Sequence, residues 1–152
     1  MTRICFYISC FFFVFLWACQ QPRVPGIAMP VDHTPVIFPD YTGVTVPYNI
    51  APLNFRLDEP CSNIAVTVSG RQDTLECAAK GNKISFNLSG WHKLLEQHRG
   101  EELQVKVFAR DSAGWKKYLP FKIIVAPDPI DDYLVYRLIL PGFQNWNEMG
   151  IY

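Results

Sequence analysis

From Leu53 to Val125, large apolar side chains alternate with polar ones at a period of two, and this repeat restricts the chain to a narrow set of folds. Successive side chains of a strand point to opposite faces, so such a repeat puts the apolar set on one face and leaves the other for water. Leu53, Phe55 and Leu57 alternate with Asn54, Arg56 and Asp58, and Ile64, Val66 and Val68 with Ala65, Thr67 and Ser69. The same holds for Leu75 and Cys77, for Ile84, Phe86 and Leu88, for Leu103, Val105 and Val107, and for Leu119, Phe121, Ile123 and Val125. These runs predict six strands. Gly70-Arg71, Lys80-Gly81-Asn82 and Asp111-Ser112-Ala113-Gly114 between them accept turn dihedrals. Strands that are apolar on one face must bury it against another sheet. Turns at intervals of about 8–12 residues point to an all-β, immunoglobulin-like β-sandwich of six to seven strands.

One helix is expected to interrupt the strands. Ser89 is the expected cap for "GWHKLLEQHR", and Gly100 is expected to take the left-handed position that ends it. Trp91, Leu94, Leu95 and His98 share one side at helical spacing, so Trp91 reads as a plug for the open edge of the sandwich.

The flanks differ from this middle. "MTRICFYISCFFFVFLWAC" has one positive charge, Arg3, and then an apolar run from Ile4 to Ala18. The run is shorter than the roughly 20 residues of a spanning helix and has the marks of a secretory signal peptide. Leu16-Trp17-Ala18-Cys19 resembles the bacterial lipobox, although Trp17 is bulkier than the usual residue; Cys19 is then the lipidated residue, and the alternatives are an ordinary cleavable signal or an uncleaved anchor. Removal of residues 1–18 leaves 134 residues, and loss of Arg3 takes Lys+Arg from 14 to 13 against 14 Asp+Glu. A net charge near −1 gives no field for attracting nucleic acid. Residues 20–52 hold seven of the 12 prolines. Residues 19–35 are expected to be a tether, and residues 36–127 the sandwich domain, with the apolar "VIF", "YTGVTV" and "YNIA" lying along it as an edge strand.

After Pro127 and Pro129, residues 128–152 form an apolar C-terminal extension, "DDYLVYRLILPGFQNWNEMGIY" being rich in aromatic and large aliphatic side chains. A segment apolar on nearly all sides needs covering all round. It is expected to be a docking segment for a partner protein or a further domain, with Tyr133, Tyr136, Arg137, Phe143 and Trp146 as contact residues, since aromatics and Arg dominate interface energetics. On this reading the stop after Tyr152 is a truncation, and translation beyond it should find a cysteine pair followed by His and then four-stranded blades.

Catalytic patterns are absent from the sequence. His92 and His98 are six apart, not the i, i+4 of a helical metal pair, and there is no C-x-x-C, G-x-S-x-G or phosphate loop. Asp128, Asp131 and Asp132 could bind calcium, but a polar domain exit with an Asp cap explains them as well. The expectation is a non-catalytic chain without cofactor or metal. Cys61 and Cys77 are either a disulfide or two buried thiols; a hairpin turning at Gly70-Arg71 sets Cys77 opposite residue 64, out of bonding reach without a bulge. Asp73-Thr74-Leu75 and Asp111-Ser112-Ala113 resemble a three-residue O-glycosylation motif of certain Gram-negative anaerobes, which makes Thr74 and Ser112 candidate acceptors.

"FPDYTGVTVPYNIAPLNF" and "DDYLVYRLILPGFQNWNEMGIY", with "GWKKYLPFKIIV" between them, resemble the N-terminal region of TolB-like β-propeller lipoproteins of Gram-negative anaerobic bacteria, over about residues 37–152. The resemblance implies a small sandwich in front of a C-x-x-C-H-like motif and a propeller. This chain has neither of the latter, so no site residue carries over. The expected function is a membrane-tethered β-sandwich module of a cell-envelope lipoprotein, on the periplasmic side or the cell surface, that positions a propeller or partner domain. The rival is a complete small lipoprotein that binds glycan or peptide through its sandwich, which a solvent-facing aromatic row on one sheet would favour.

Overall fold

The computed structural model describes residues 23–131 and Tyr133. In chain order the first strands are β1 (Met29–Pro30), β2 (Ile37–Phe38), β3 (Thr45–Pro47), β4 (Phe55–Leu57), β5 (Asn63–Ser69), β6 (Thr74–Lys80) and β7 (Lys83–Ile84). Then come helix α1 (Leu88–Gln97) and strands β8 (Glu102–Arg110), β9 (Trp115–Lys117) and β10 (Phe121–Ala126). A small antiparallel sheet runs β2-β4-β7. In the large sheet β6 pairs with β5, β5 with β8, and the far edge of β8 is shared by β9 and β10. Two short strands add in parallel at that side, β1 to β9 and β3 to β10.

The alternating residues make the core. Phe55, Leu57 and Ile84 from the small sheet meet Ile64, Val66, Val68, Leu103, Val105, Val107, Phe121, Ile123 and Val125 from the large one in a single buried cluster. Helix α1 closes it with Trp91, Leu94 and Leu95. Trp91 is 0% exposed, stacks on Phe86 at 5.3 Å between ring centroids, and donates its indole N–H to the Ile50 carbonyl at 3.2 Å. Burial of a Trp costs little when its N–H finds an acceptor.

Several local expectations need correction. The helix cap is Asn87, not Ser89: Asn87 Oδ1 accepts from the Gly90 amide at 3.0 Å. Strand β7 ends early because the Phe86 amide goes to Asn54 Oδ1 at 2.9 Å instead of a strand partner. Leu88, placed inward by strand parity, is therefore the first helical residue and is exposed. Gly100 does take the left-handed conformation, at φ +74, two residues beyond the C-cap His98.

Parity also breaks between β9 and β10. Lys117 pairs with Phe108 and Phe121 with Val105, so three residues, 118–120, face two on β8. That is a β-bulge, and Pro120, without an N–H, sits in it. The extra residue inverts the alternation: Tyr118 is buried and Leu119 is 47% exposed, the reverse of the strand pattern read from sequence. The Tyr118 hydroxyl donates to Glu59 Oε2 at 2.7 Å; burial first, and then this hydrogen bond and the Glu59 charge, hold the phenol well above its ordinary pKa.

The tether boundary moves as well. Residues 29–34 lie along the large sheet, with Val31 N–H donating to the Lys117 carbonyl, Leu119 N–H to the His33 carbonyl, and the His33 ring edge-on to Tyr118 at 5.3 Å. The domain therefore starts near Met29, not at residue 36. The outer edge of β9 carries unpaired backbone groups, and this segment satisfies them; Pro30 is tolerated because it adds at an edge.

Gly70 opens the β5–β6 turn and meets the buried His98 ring. A Cβ at position 70 would lie 1.9 Å from His98 Nε2. Gly70→Ala should destabilise the domain by about 1–3 kcal/mol, the usual cost of overpacking. The Gly70→Ala/His98→Ala double variant should recover part of that loss, since the clashing ring is gone. Denaturant unfolding of Gly70→Ala, His98→Ala and the double variant measures both effects.

Candidate functional site

The residues most tightly organised for a task beyond the core are Tyr48, Asn49 and Ile50, in the loop after β3. Each has its own contact. The Arg99 guanidinium, just past α1, lies over the Tyr48 ring at 3.6 Å from its centroid. Arg99 is in turn paired with Glu96, which raises its pKa, so the cation is held in place from below. The Ile50 carbonyl takes the Trp91 indole N–H, and the Ile50 amide donates back to the Pro47 carbonyl at 3.2 Å.

Between them, Asn49 grips the segment that leaves the sandwich. Its Nδ2 donates to the Ile130 carbonyl at 3.0 Å, and its Oδ1 accepts from the Ile130 amide at 2.8 Å. One carboxamide thereby satisfies both backbone groups of a residue 81 positions away, in the manner of a strand partner. Ile130 and Tyr133 beside it are exposed, Tyr133 at 87%. The sandwich thus ends in a fixed exit, and the held chain runs to Ile130, three residues past the boundary expected at 127.

Of the residues expected to dock a partner, Tyr133 is at this exit; Tyr136, Arg137, Phe143 and Trp146 lie outside the described residues, as do Cys19 and Asp132. Asp128 and Asp131 are exposed, and among the described residues no group of three His, Cys, Asp or Glu could hold a metal ion. Thr74 begins β6 and Ser112 sits in the β8–β9 turn, both exposed. Asp111, the first residue of the second motif, is committed to the turn: its Oδ1 accepts the Ala113 and Gly114 amides at 2.8 and 3.1 Å, and its Oδ2 pairs with Lys116 at 2.7 Å.

Cys61 and Cys77 are free thiols, which removes the disulfide. The β5–β6 turn spans residues 70–73, with Ser69 opposite Thr74, so Cys77 faces Val66 and not residue 64. Cys61 is five positions from Val66, an offset of about 16 Å at strand rise and far outside disulfide reach. The two thiols donate to different carbonyls, Gly81 at 3.4 Å and Ser85 at 3.1 Å. Burial raises both thiol pKa values, with the Glu59 charge adding to the effect at Cys61.

A core cavity of about 10 Å³, lined by Tyr41, Leu53, Phe55, Phe86 and Trp91 among others, is apolar and offers no set of polar partners that would hold a water. No helix among the described residues is long and apolar enough to cross a membrane. No family model, curated protein or solved structure matches the chain. Sequence reasoning missed Asn49, Tyr48 and Arg99: "YNIA" reads as an apolar stretch, and nothing local marks its Asn as the partner of a residue 81 positions on.

Non-reducing peptide mapping after native alkylation should recover Cys61 and Cys77 in separate peptides. Both should alkylate slowly at neutral pH and quickly after unfolding, because raised pKa values keep the thiolate fraction small.

Proposed function

We propose that this chain is a non-catalytic positioning module of a cell-envelope lipoprotein, tethered through Cys19 and presenting its C-terminal segment to a propeller or partner domain. The observation that carries the reading is the Asn49 carboxamide closed on Ile130. A freely hinged linker has no need of a two-point anchor on its first residues, whereas a module that sets the direction of its neighbour does. The contacts of Arg99 on Tyr48 and Trp91 on Ile50 support it, since they tie the gripping residue to the core. The sandwich itself is best read as immunoglobulin-like: β2-β4-β7 faces β6-β5-β8-β10, and β3 runs parallel to the last strand. The wording of "YTGVTVPYNIAPLNF", which includes Asn49, keeps the resemblance to TolB-like lipoproteins as the proposed family context.

Asn49→Ala should leave the core intact and free the exit. Hydrogen exchange at the Ile130 amide should rise about fivefold, as expected for loss of roughly 1 kcal/mol of local hydrogen bonding, with the global melting temperature nearly unchanged. Unchanged exchange at Ile130 would remove the basis for a positioning role. Cys19→Ala should move the protein out of the membrane fraction and abolish palmitate labelling; labelling equal to the parent would remove the lipid anchor.

A second reading, ligand binding through the sandwich, is favoured by one observation. Trp115, half-buried, lies in the outward row of the large sheet opposite Arg110, where the sequence pattern had shown only polar residues.

A further inference from the structure

Ala65 and Phe108 are paired across β5 and β8 and point away from the inter-sheet core, whose cluster contains their neighbours Ile64, Val66 and Val107 but neither of them. Both are nonetheless buried, Ala65 at 0% and Phe108 at 7% exposed. The register continues the row as Ala78, Ala65, Phe108 and Lys117, and sets Lys80, Asn63, Arg110 and Trp115 in the next. Ala78, Ala65 and buried Phe108 thus form an apolar row on this face, with half-buried Trp115 in the row beside it. Directly opposed Cβ atoms on such rows are about 5 Å apart, and same-face residues along a strand about 7 Å apart.

The rim is cationic. Lys80, Lys106, Arg110, Lys117 and Lys122 share this face with the carboxylates Glu76 and Glu102. Glu102 is taken by Lys122, and Asp111, just beyond Arg110, is taken by Lys116 and the turn amides. Lys80, Lys106, Arg110 and Lys117 make no ion pair among the described residues. The whole chain carries a formal net charge of +0, so this face concentrates positive charge that the composition hides. Like charges on neighbouring strand positions repel each other, and an anion laid across them relieves that repulsion.

We propose that this face binds an acidic polysaccharide. A sugar ring offers an apolar C–H face to Trp115, its carboxylate or sulfate group meets Arg110 and Lys117, and its hydroxyls meet Asn63, Thr67 and Gln104. Among the described residues Lys80, Arg110 and Lys117 are exposed and Trp115 is half-buried, an arrangement that suits an extended chain laid along the rim and not an enclosed small ligand. Its exposed aliphatics among the described residues are Leu119 and Ile124, too few to anchor it in a bilayer. The site does not involve Asn49 or the C-terminal exit and stands apart from the positioning role.

The test is affinity electrophoresis of the complete chain in gels containing polygalacturonate, heparin, neutral dextran or polyglutamate, with flotation on phosphatidylglycerol vesicles alongside. Retardation is expected with at least one acidic polysaccharide and none with dextran; polygalacturonate and heparin separate carboxylate from sulfate recognition. Binding should weaken with salt, and by about tenfold or more in Trp115→Ala and in Arg110→Ala/Lys117→Ala. The reversals Lys80→Glu, at an exposed position, and Lys106→Glu, at a half-buried one on the same outward face, should weaken it even if a Trp115 variant folds poorly. Asn49→Ala should bind as the parent does, which keeps this result distinct from the exit experiment. No retardation by either acidic polysaccharide would overturn the proposal. So would equal binding to polyglutamate or vesicles, or unchanged binding in the charge reversals.

Discussion

Strand β8 is paired along both edges, and the rest of the large sheet depends on that. From Gln104 to Arg110 it faces β5; on the other side Glu102–Val105 faces β10 and Phe108–Arg110 faces β9. Its inward side chains, Leu103, Val105, Val107 and Ala109, lie in the core. A strand hydrogen-bonded on both sides and buried on one face fixes its neighbours' register, because a slip of one residue would turn apolar side chains into water. The order of the sheet, the turn at residues 70–73 and the separation of the two cysteines all follow from this register.

The bulge at residues 118–120 is the second constraint. It lets one continuous segment pair with both halves of β8 while its side chains change faces. Tyr118 thereby turns inward to reach Glu59 and His33, and the N-terminal segment gains a surface to lie on. Beyond the bulge the parity is restored, and β10 provides the edge along which β3 runs in parallel. The loop after β3 then carries Asn49 to Ile130. A single inserted residue and a single carboxamide thus connect the core of the sandwich to both ends of the described chain.

The two proposed activities use different parts of this frame. The exit is built from loops that the core holds from below, through Trp91 and Arg99. The cationic face is built from the outward half of the same strands whose inward half makes the core, so its spacing is as rigid as the sheet. Local charge alone would not reveal that face: Lys80, Lys106, Arg110 and Lys117 are spread over 38 positions, from residue 80 to residue 117, and only strand pairing gathers them.

The sequence by itself determined the class of fold. Alternation at a period of two, with turn residues between the runs, sufficed for an all-β chain with a buried inner face and one helix carrying Trp91, Leu94 and Leu95 inward, because side-chain direction within an element is set by local geometry. It also placed the left-handed turn at Gly100, since that conformation favours glycine. Tertiary structure alone decided which face Tyr118 and Leu119 take, because a bulge is defined by two residues on the opposite strand. It decided where the domain begins, because Met29–Pro30 is a strand only in the presence of the edge of β9. It decided the partner of Asn49 and the gathering of cations around Trp115 as well. These depend on contacts between residues far apart in the chain, and such contacts are set by register and packing, which leave no local periodic signal.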